Sequence, residues 1–594
     1  MLSGLLLSGC AIDDALAGKR LARLNGPKPT FAVQAADFRY EQRGQMPPNA
    51  LIEAKAQRER MLAGPRPAAA GIWPASWAWI GPGLVGGRLR AILIHPTQPA
   101  TMWVGTAGGG IWKTLDGGAN WQALDEFMPS LSIGSMALSP SNPDVLYAGT
   151  GEGFFETVEG SSNTAAIRGA GVFKSTDGGS TWQQLPSTAS WFFTNRIAVH
   201  PSNGAIVWAA TSAGIFKSND GGVTWTSKAS GNFFDLKVSP SDPLKLIAAK
   251  SHTGPYYSND GGETWTASTG VAGDRVELAY AQSAPGTVYA SQSSGGVIKL
   301  YRSTNGGQTF SLRTSGSGIS TYESYNNTLW VDPTNSSRVI VGGVFLYRST
   351  DGGTTLARVF NGVHADMHAI ATHPGYNGSS NRTIYIGCDG GIYRIPDATG
   401  TSSARINNNL GVTQFYGAAI SDASGTVVAG AQDNGTNTYT GNAMAWSENV
   451  IGGDGTYAAA DQSNPAYFYG GYQWMSLYRS SDGGSTFSTS VAPPGSGSSN
   501  NYNFIPYFML DPNEQNRMYA CGELLWRSNN IRTGNPPTWT SVKPSIRDGG
   551  KGGLSKPPGA HMVDNNPWNI STVAVAQGNS DIVWVGHNNG NIYK

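Results

Sequence analysis

The chain reads as an all-β protein built from about ten to eleven four-stranded units, and three observations predict this. A box of the form Ser/Thr-x-Asp-x-Gly-x-Thr-Trp recurs from Thr114 to Phe487. Successive boxes are spaced by 61, 43, 40, 45 and 46 residues, then by 131, about three periods of 44. Apolar runs of strand length, punctuated by Pro and Gly, flank every copy. A period of that size with strand-like flanks is the signature of a propeller, in which each repeat is one radial sheet.

The fullest box is Gly171-Val-Phe-Lys-Ser-Thr-Asp177-Gly-Gly-Ser-Thr-Trp182. Close copies centre on Asp116, Asp220, Asp260, Asn305, Asp351 and Asp482. A short strand enters a turn in which the Asp carboxylate accepts backbone N–H groups, the glycines supply positive φ, and the Ser and Thr hydroxyls tie the ends. The Trp then opens the next strand. Upstream lie an apolar strand ending in Pro, as in Ile94-His-Pro96 and Val199-His-Pro201, and a second such as Val145-Leu-Tyr-Ala-Gly149. Each repeat therefore has an inner strand, a second, a third leading into the box, and an outer fourth carrying the Trp.

Inner strands begin near residues 88, 133, 194, 233, 275, 326, 366, 414, 454 and 504, and an eleventh incomplete repeat begins near Ile570. Residues 154–168, 493–503 and 541–568 interrupt the rhythm as long loops. Before the repeats, Leu51 to Gly64 reads as a helix with a glycine stop, and residues 11–75 as a helix-and-linker segment.

Composition excludes several classes. Of 594 residues, 13% are charged and the formal net charge is +1, which leaves no electrostatic footprint for nucleic acid or an anionic membrane surface. Three cysteines, Cys10, Cys388 and Cys521, make neither an even disulfide framework nor a metal spacing.

The boxes resemble the Asp-box, or bacterial neuraminidase repeat, of sialidases, sortilin-type propellers, xyloglucan-specific endoglucanases and the photosystem II assembly-factor propeller. The resemblance covers nearly all of residues 77–594. It implies a propeller, and since these families have unrelated activities it implies no single function. The endoglucanases carry T-D-I-G-G in the first blade and G-D-I-G-G in an early blade of a second propeller. The matching turns here are Gly105-Thr-Ala107-Gly and Ala431-Gln-Asp433-Asn-Gly. The match favours two packed propellers, residues 76–410 and 411–594, with one large sortilin-like ring as the alternative. The second region is read as truncated or as closed by residues 76–80. Leu7-Ser-Gly-Cys10 resembles a bacterial lipobox, which implies residues 1–10 as a signal end, acylation of Cys10, and an envelope or secreted location with membrane contact only through that anchor.

The Ala107 position bears on chemistry. Glycoside hydrolysis uses two carboxylates across the scissile bond. Ala107 removes one of the endoglucanase pair, while Asp433 keeps the position of the acid. Turns between second and third strands share one face with the connections entering the inner strands, and they surround the channel mouth. They place Glu152, Asp389, Asp433, Trp474 and Glu523 there, expected to face solvent, together with Trp191, Tyr322, Tyr325, Phe415 and Tyr416 and the inner-strand Arg88. Carboxylates beside aromatics suit a saccharide, whose faces stack on rings and whose hydroxyls bond polar groups. Asp433, Asp389 and Glu152 are the candidate catalytic set. Trp474, Tyr416, Arg88 and Trp191 are the candidate ligand contacts. His364-Ala-Asp366-Met-His368 enters an inner strand, where alternation puts the three polar residues on one side. That spacing suits a divalent metal ion or a His–Asp hydrogen-bonded pair. Two functions remain open: an envelope propeller that binds a glycan or protein at the mouth, or a sialidase- or xyloglucanase-like glycoside hydrolase with a rearranged carboxylate set.

Overall fold

The computed structural model describes residues 50–63, 78–124, 128–154, 167–314, 318–322, 324–546, 566 and 568–594. Cys10 lies outside the described residues. The expected helix spans Ala50–Ala63, and Ile52 packs on the core shared by the first two sheets. No helix among the described residues is long and apolar enough to cross a membrane.

Among the described residues eleven antiparallel sheets follow, ten of four strands and a last one of three. Contacts divide the chain into two compact units. One holds Pro47–Gly417 with Gly425–Gly455, and the other Ala418–Ser424 with Thr456–Lys594. In the first, the inner strands of seven sheets follow one another: Leu89–Ile94, Ile133–Ser139, Thr194–Val199, Phe233–Val238, Arg275–Tyr280, Thr328–Asp332 and Met367–Thr372. The seventh lies beside the first. The join is a packed core of Leu89, Met102, Val104 and Trp121 against Tyr385, Ile392, Leu410 and Val412. Trp121 Nε1 donates to the Ile406 carbonyl across it at 2.7 Å. This unit also contains the strands Val427–Ala431, Gly435–Tyr439 and Ser447–Ile451. In the other unit, inner strands Ala458–Ala460, Phe508–Leu510 and Ile570–Ala576 are successive neighbours over their own apolar cores.

The boxes are built as the sequence implies. Ser175 Oγ donates to Asp177 Oδ1 at 2.7 Å and accepts the Gly179 N–H at 2.8 Å, while Asp177 accepts both the N–H and the hydroxyl of Thr181. Gly178 and Gly179 sit at φ of 67° and 88°, where a side chain would be strained. The opening bonds of the turn recur between Ser528 and Asn530, a degenerate copy in which Ile531 and Arg532 stand in place of the two glycines, which hides it in the sequence.

The box also clasps its neighbour. Trp103 Nε1 and Lys113 Nζ, from the second and third strands of the first sheet, both donate to the Gly178 carbonyl of the next box, at 3.1 and 2.8 Å. Tyr147 and Lys174 repeat this on the Gly221 carbonyl, and Trp208 does so on Gly261. In these three sheets the buried aromatic of the second strand therefore packs between sheets while its polar atom satisfies a carbonyl that the turn leaves unpaired.

Candidate functional site

The seven-sheet unit gathers charged side chains around its inner strands. Arg88 and Arg90 enter the first inner strand, and Glu152 follows the second strand of the second sheet. Tyr325 precedes the sixth inner strand, and Asp366 and His368 enter the seventh. Asp389 lies in the turn between Ile384–Cys388 and Gly391–Ile395. Alternation on a strand aims Arg88 and Arg90 to one side, which brings both guanidinium groups inward.

Their pairing is dense. Arg88 reaches Glu152 at 3.0 Å, Asp389 at 3.2 Å and Asp433 at 3.8 Å. Arg90 Nε donates to Glu152 Oε1 at 2.6 Å, and its Nη1 donates to the Tyr325 carbonyl at 3.0 Å and to His368 Nδ1 at 2.7 Å. An arginine cannot accept, so His368 Nδ1 must, and its Nε2–H then donates to Asp389 Oδ1 at 2.7 Å. This fixes His368 as the neutral Nε2–H tautomer. Burial, with Arg90 beside it, pushes its pKa down to about 4. The Tyr325 hydroxyl donates to the other Asp389 oxygen at 2.5 Å. Burial alone would raise the Asp389 and Glu152 carboxyls, but the adjacent cations and hydrogen bonds outweigh it and hold both below the usual range.

A second group continues around the axis. Arg275 pairs with Glu277 at 2.7 Å, and Arg196 with Glu277 at 2.9 Å and Asp235 at 3.0 Å. Arg90, Arg196 and Arg275 stand over the Phe154 ring at 5.0, 5.4 and 4.4 Å. Burial, against the pull of Glu277 and with two like charges near, lowers Arg275 to about 10. Ion pairs and buried aromatics, Phe154 with Phe234 stacked on it at 6.1 Å, thus occupy the middle of this unit.

The groups that keep access lie at its edge. Asp433 is a quarter exposed, with its carbonyl bonded to His364 Nε2 at 2.9 Å and its N–H to Asp454. Asp366 accepts from the Asn326 amide. Both aspartates occupy the left-handed region, at φ of 59° and 65°, a conformation that costs about 1–3 kcal/mol and clusters at binding sites. Burial and the proximity of Asp389 push Asp366 up to about 7. The same causes, with Asp454, raise Asp433 well above the carboxylate range. Tyr416 is half-buried beside Asp454 and Asp433, and Tyr322 is 48% exposed beside Asp366 and the same pair. Phe415 is exposed next to Tyr416.

Eight of the candidate residues therefore meet here, Arg88, Glu152, His364, Asp366, His368, Asp389, Tyr416 and Asp433, but several in roles other than expected. Glu152 and Asp389 do not face solvent. They are completely paired inside the ionic core, because the inner strands deliver two arginines to them. Arg88 is likewise the buried floor of the site. Trp191 is buried against Phe216 and Trp225 at 4.5 and 5.2 Å, a core residue between sheets. Trp474 belongs to the other unit, edge-on to Phe504. His364, Asp366 and His368 do not converge on a metal position. Both His368 ring nitrogens are taken, His364 turns to a carbonyl, and among the described residues no group of three His, Cys, Asp or Glu side chains is arranged to hold an ion. The His–Asp pair that does form joins His368 to Asp389 rather than to Asp366. Arg90 and Asn326 were not singled out from the sequence, although Arg90 was legible as the alternate neighbour of Arg88. Ala107 is buried, and its position carries no carboxylate.

The fold is that of a β-propeller with Asp-box turns, and the BNR/Asp-box repeat model matches residues 256–267. Among solved structures, the chain is similar to the GH74 xyloglucanase from Xanthomonas campestris, with TM-score 0.56 and 14% identity over 86% of this chain and 85% of that one. It is also similar to an ancestral GH74 enzyme, with TM-score 0.57 and 16% identity over 87% and 75% of the two chains. The sequence matches no curated protein.

Proposed function

We propose that this is a cell-envelope or secreted propeller that binds a glycan where Asp366, Asp433 and Asp454 meet Tyr322, Phe415 and Tyr416. One observation carries the reading: the part-exposed carboxyls of Asp366 and Asp433 and the three rings stand on a paired ionic floor, with Asp454 buried beside them and accepting the Asp433 N–H. Such a floor is rigid and already desolvated, so polar groups above it are held in place before a ligand arrives. The carboxyls of Asp366 and Asp433, which burial and the nearby Asp389 raise, both donate to and accept from sugar hydroxyls when protonated, and the rings offer faces for stacking. The likeness in fold to the Xanthomonas campestris xyloglucanase makes xyloglucan oligosaccharides the first probe. Calorimetric titration tests the proposal: Asp433→Ala and Tyr416→Ala each weaken binding at least tenfold, with the melting temperature within about 2 °C of the parent. Binding that survives both variants refutes this site, and a protein ligand captured through the same residues in place of any glycan refutes the glycan assignment.

A second reading is glycoside hydrolysis, favoured by the juxtaposition of a carboxyl held protonated, Asp433, with neighbours of different charge state, the arrangement an acid and its partner need. Ala107 stands against it. Reducing-end release from xyloglucan that Asp433→Asn abolishes would establish turnover. The envelope location rests on the lipobox-like Leu7 to Cys10. Cys10→Ala, expressed with a complete signal, should move from membrane to soluble fraction.

A further inference from the structure

The long loop at residues 493–503 has no part in the site above. It belongs to the second unit, where it walls a cavity of about 380 Å³ together with the turn after Met518–Cys521 and the start of Leu525–Ser528. Pro494, Gly495, Asn501, Glu523, Leu524 and Trp526 line it. The volume falls within the roughly 300–1,000 Å³ of small-ligand sites.

The walls are fixed by bonds independent of any ligand. The Tyr502 hydroxyl donates to the Pro494 carbonyl at 2.7 Å, and Asn501 Nδ2 donates to the Gly495 carbonyl at 3.2 Å. The Glu523 N–H donates to the Asn501 carbonyl at 2.8 Å, pinning the loop to the turn. The Ser545 hydroxyl donates to the Glu523 carboxylate at 2.5 Å. Trp526 is half-buried, its inner edge against the core that contains Tyr502 and Ala520. A loop that breaks the repeat and is braced at three points is an insertion with a preformed shape, which lowers the ordering cost of binding.

We infer that this cavity is a second binding site, independent of the one proposed above, and that its ligand is a neutral saccharide unit. One indole supplies a face for the axial C–H groups of a pyranose. Asn501 and Glu523 supply an amide and a carboxylate for hydroxyls. An anionic ligand would meet the Glu523 carboxylate. A cationic one would find a single ring, where ammonium recognition uses a cage of several.

The full-length chain on an array of neutral, acidic and amino-bearing oligosaccharides, followed by calorimetry with the neutral hits, tests this. At least one neutral oligosaccharide should bind with an affinity that falls tenfold or more in Trp526→Ala and at least fivefold in Asn501→Ala and Glu523→Gln, while Asp433→Ala leaves it unchanged. If Trp526→Ala does not fold, as judged by its melting curve, the Asn501 and Glu523 variants decide alone. The inference is overturned if no neutral saccharide binds, if the hits are only acidic or amino-bearing, or if binding ignores all three substitutions. Binding lost in Asp433→Ala but not in the loop variants would uphold the mouth site and remove this one, and the converse pattern would do the reverse.

Discussion

Replacing Glu152 by Gln should be among the most destabilising isosteric changes in the protein, although the sequence placed this residue in a catalytic set. Its carboxylate receives Arg88 Nη1 at 3.0 and 3.2 Å and Arg90 Nε at 2.6 Å, and none of the three side chains is more than 4% exposed. The amide keeps the shape and loses the charge, leaving two buried guanidinium groups short of one counter-ion. Breaking a buried pair from one side costs about 3–5 kcal/mol, because the surviving charge remains desolvated. The unit that contains it has roughly 400 residues. At about 2.1 cal/mol/K per residue its unfolding entropy is about 0.8 kcal/mol/K, so a loss of about 4 kcal/mol lowers the melting temperature by about 5 °C. Differential scanning calorimetry of the parent and Glu152→Gln reads this directly, with a surface Glu→Gln change such as Glu59→Gln as control. A shift below about 1 °C would mean that Glu152 is not the counter-ion of both arginines, and the ionic core would have to be redrawn.

Other expectations follow from the same geometry. Tyr325→Phe removes one charge-assisted bond to Asp389 and should cost about 1.5–3 kcal/mol, measured by chemical denaturation. Asp177→Ala removes the acceptor of three box hydrogen bonds and should cost about 1–2 kcal/mol without changing ligand affinity. Asp366, raised to about 7 by burial and Asp389, binds its proton more tightly folded than unfolded. Its contribution is therefore fully present below about pH 4 and is lost as pH rises toward 7, so the parent should lose stability across that window and Asp366→Asn should show a flatter profile. Both His368 nitrogens are engaged, so a chelator should leave the melting temperature unchanged; a drop restored by added divalent ion would refute the arrangement drawn for His364, Asp366 and His368.

The box at Asp177 and its copies were legible in the sequence because each is a local device: the Ser, the Asp, two glycines and the Thr lie within seven residues and form their bonds with one another. The period of those boxes fixed the strand order, and the inner-strand starts near 88, 133, 194 and 275 followed from it. The mouth aspartates Asp366 and Asp433 were legible for a similar reason, since topology assigns such turns to one end of a radial sheet. What the sequence could not decide was protonation and access. Glu152 and Asp433 occupy equivalent kinds of turn, yet one is sealed against Arg88 and Arg90 while the other stays partly open with its carboxyl raised. The difference depends on side chains 64 and 301 positions apart meeting at Arg88. Trp191 shows the same limit, since it packs on Phe216 and Trp225 and nothing local distinguishes it from a ring at the mouth. Short-range hydrogen bonding and periodicity are written in the order of residues, whereas desolvation and charge pairing belong to neighbours that only the folded chain brings together.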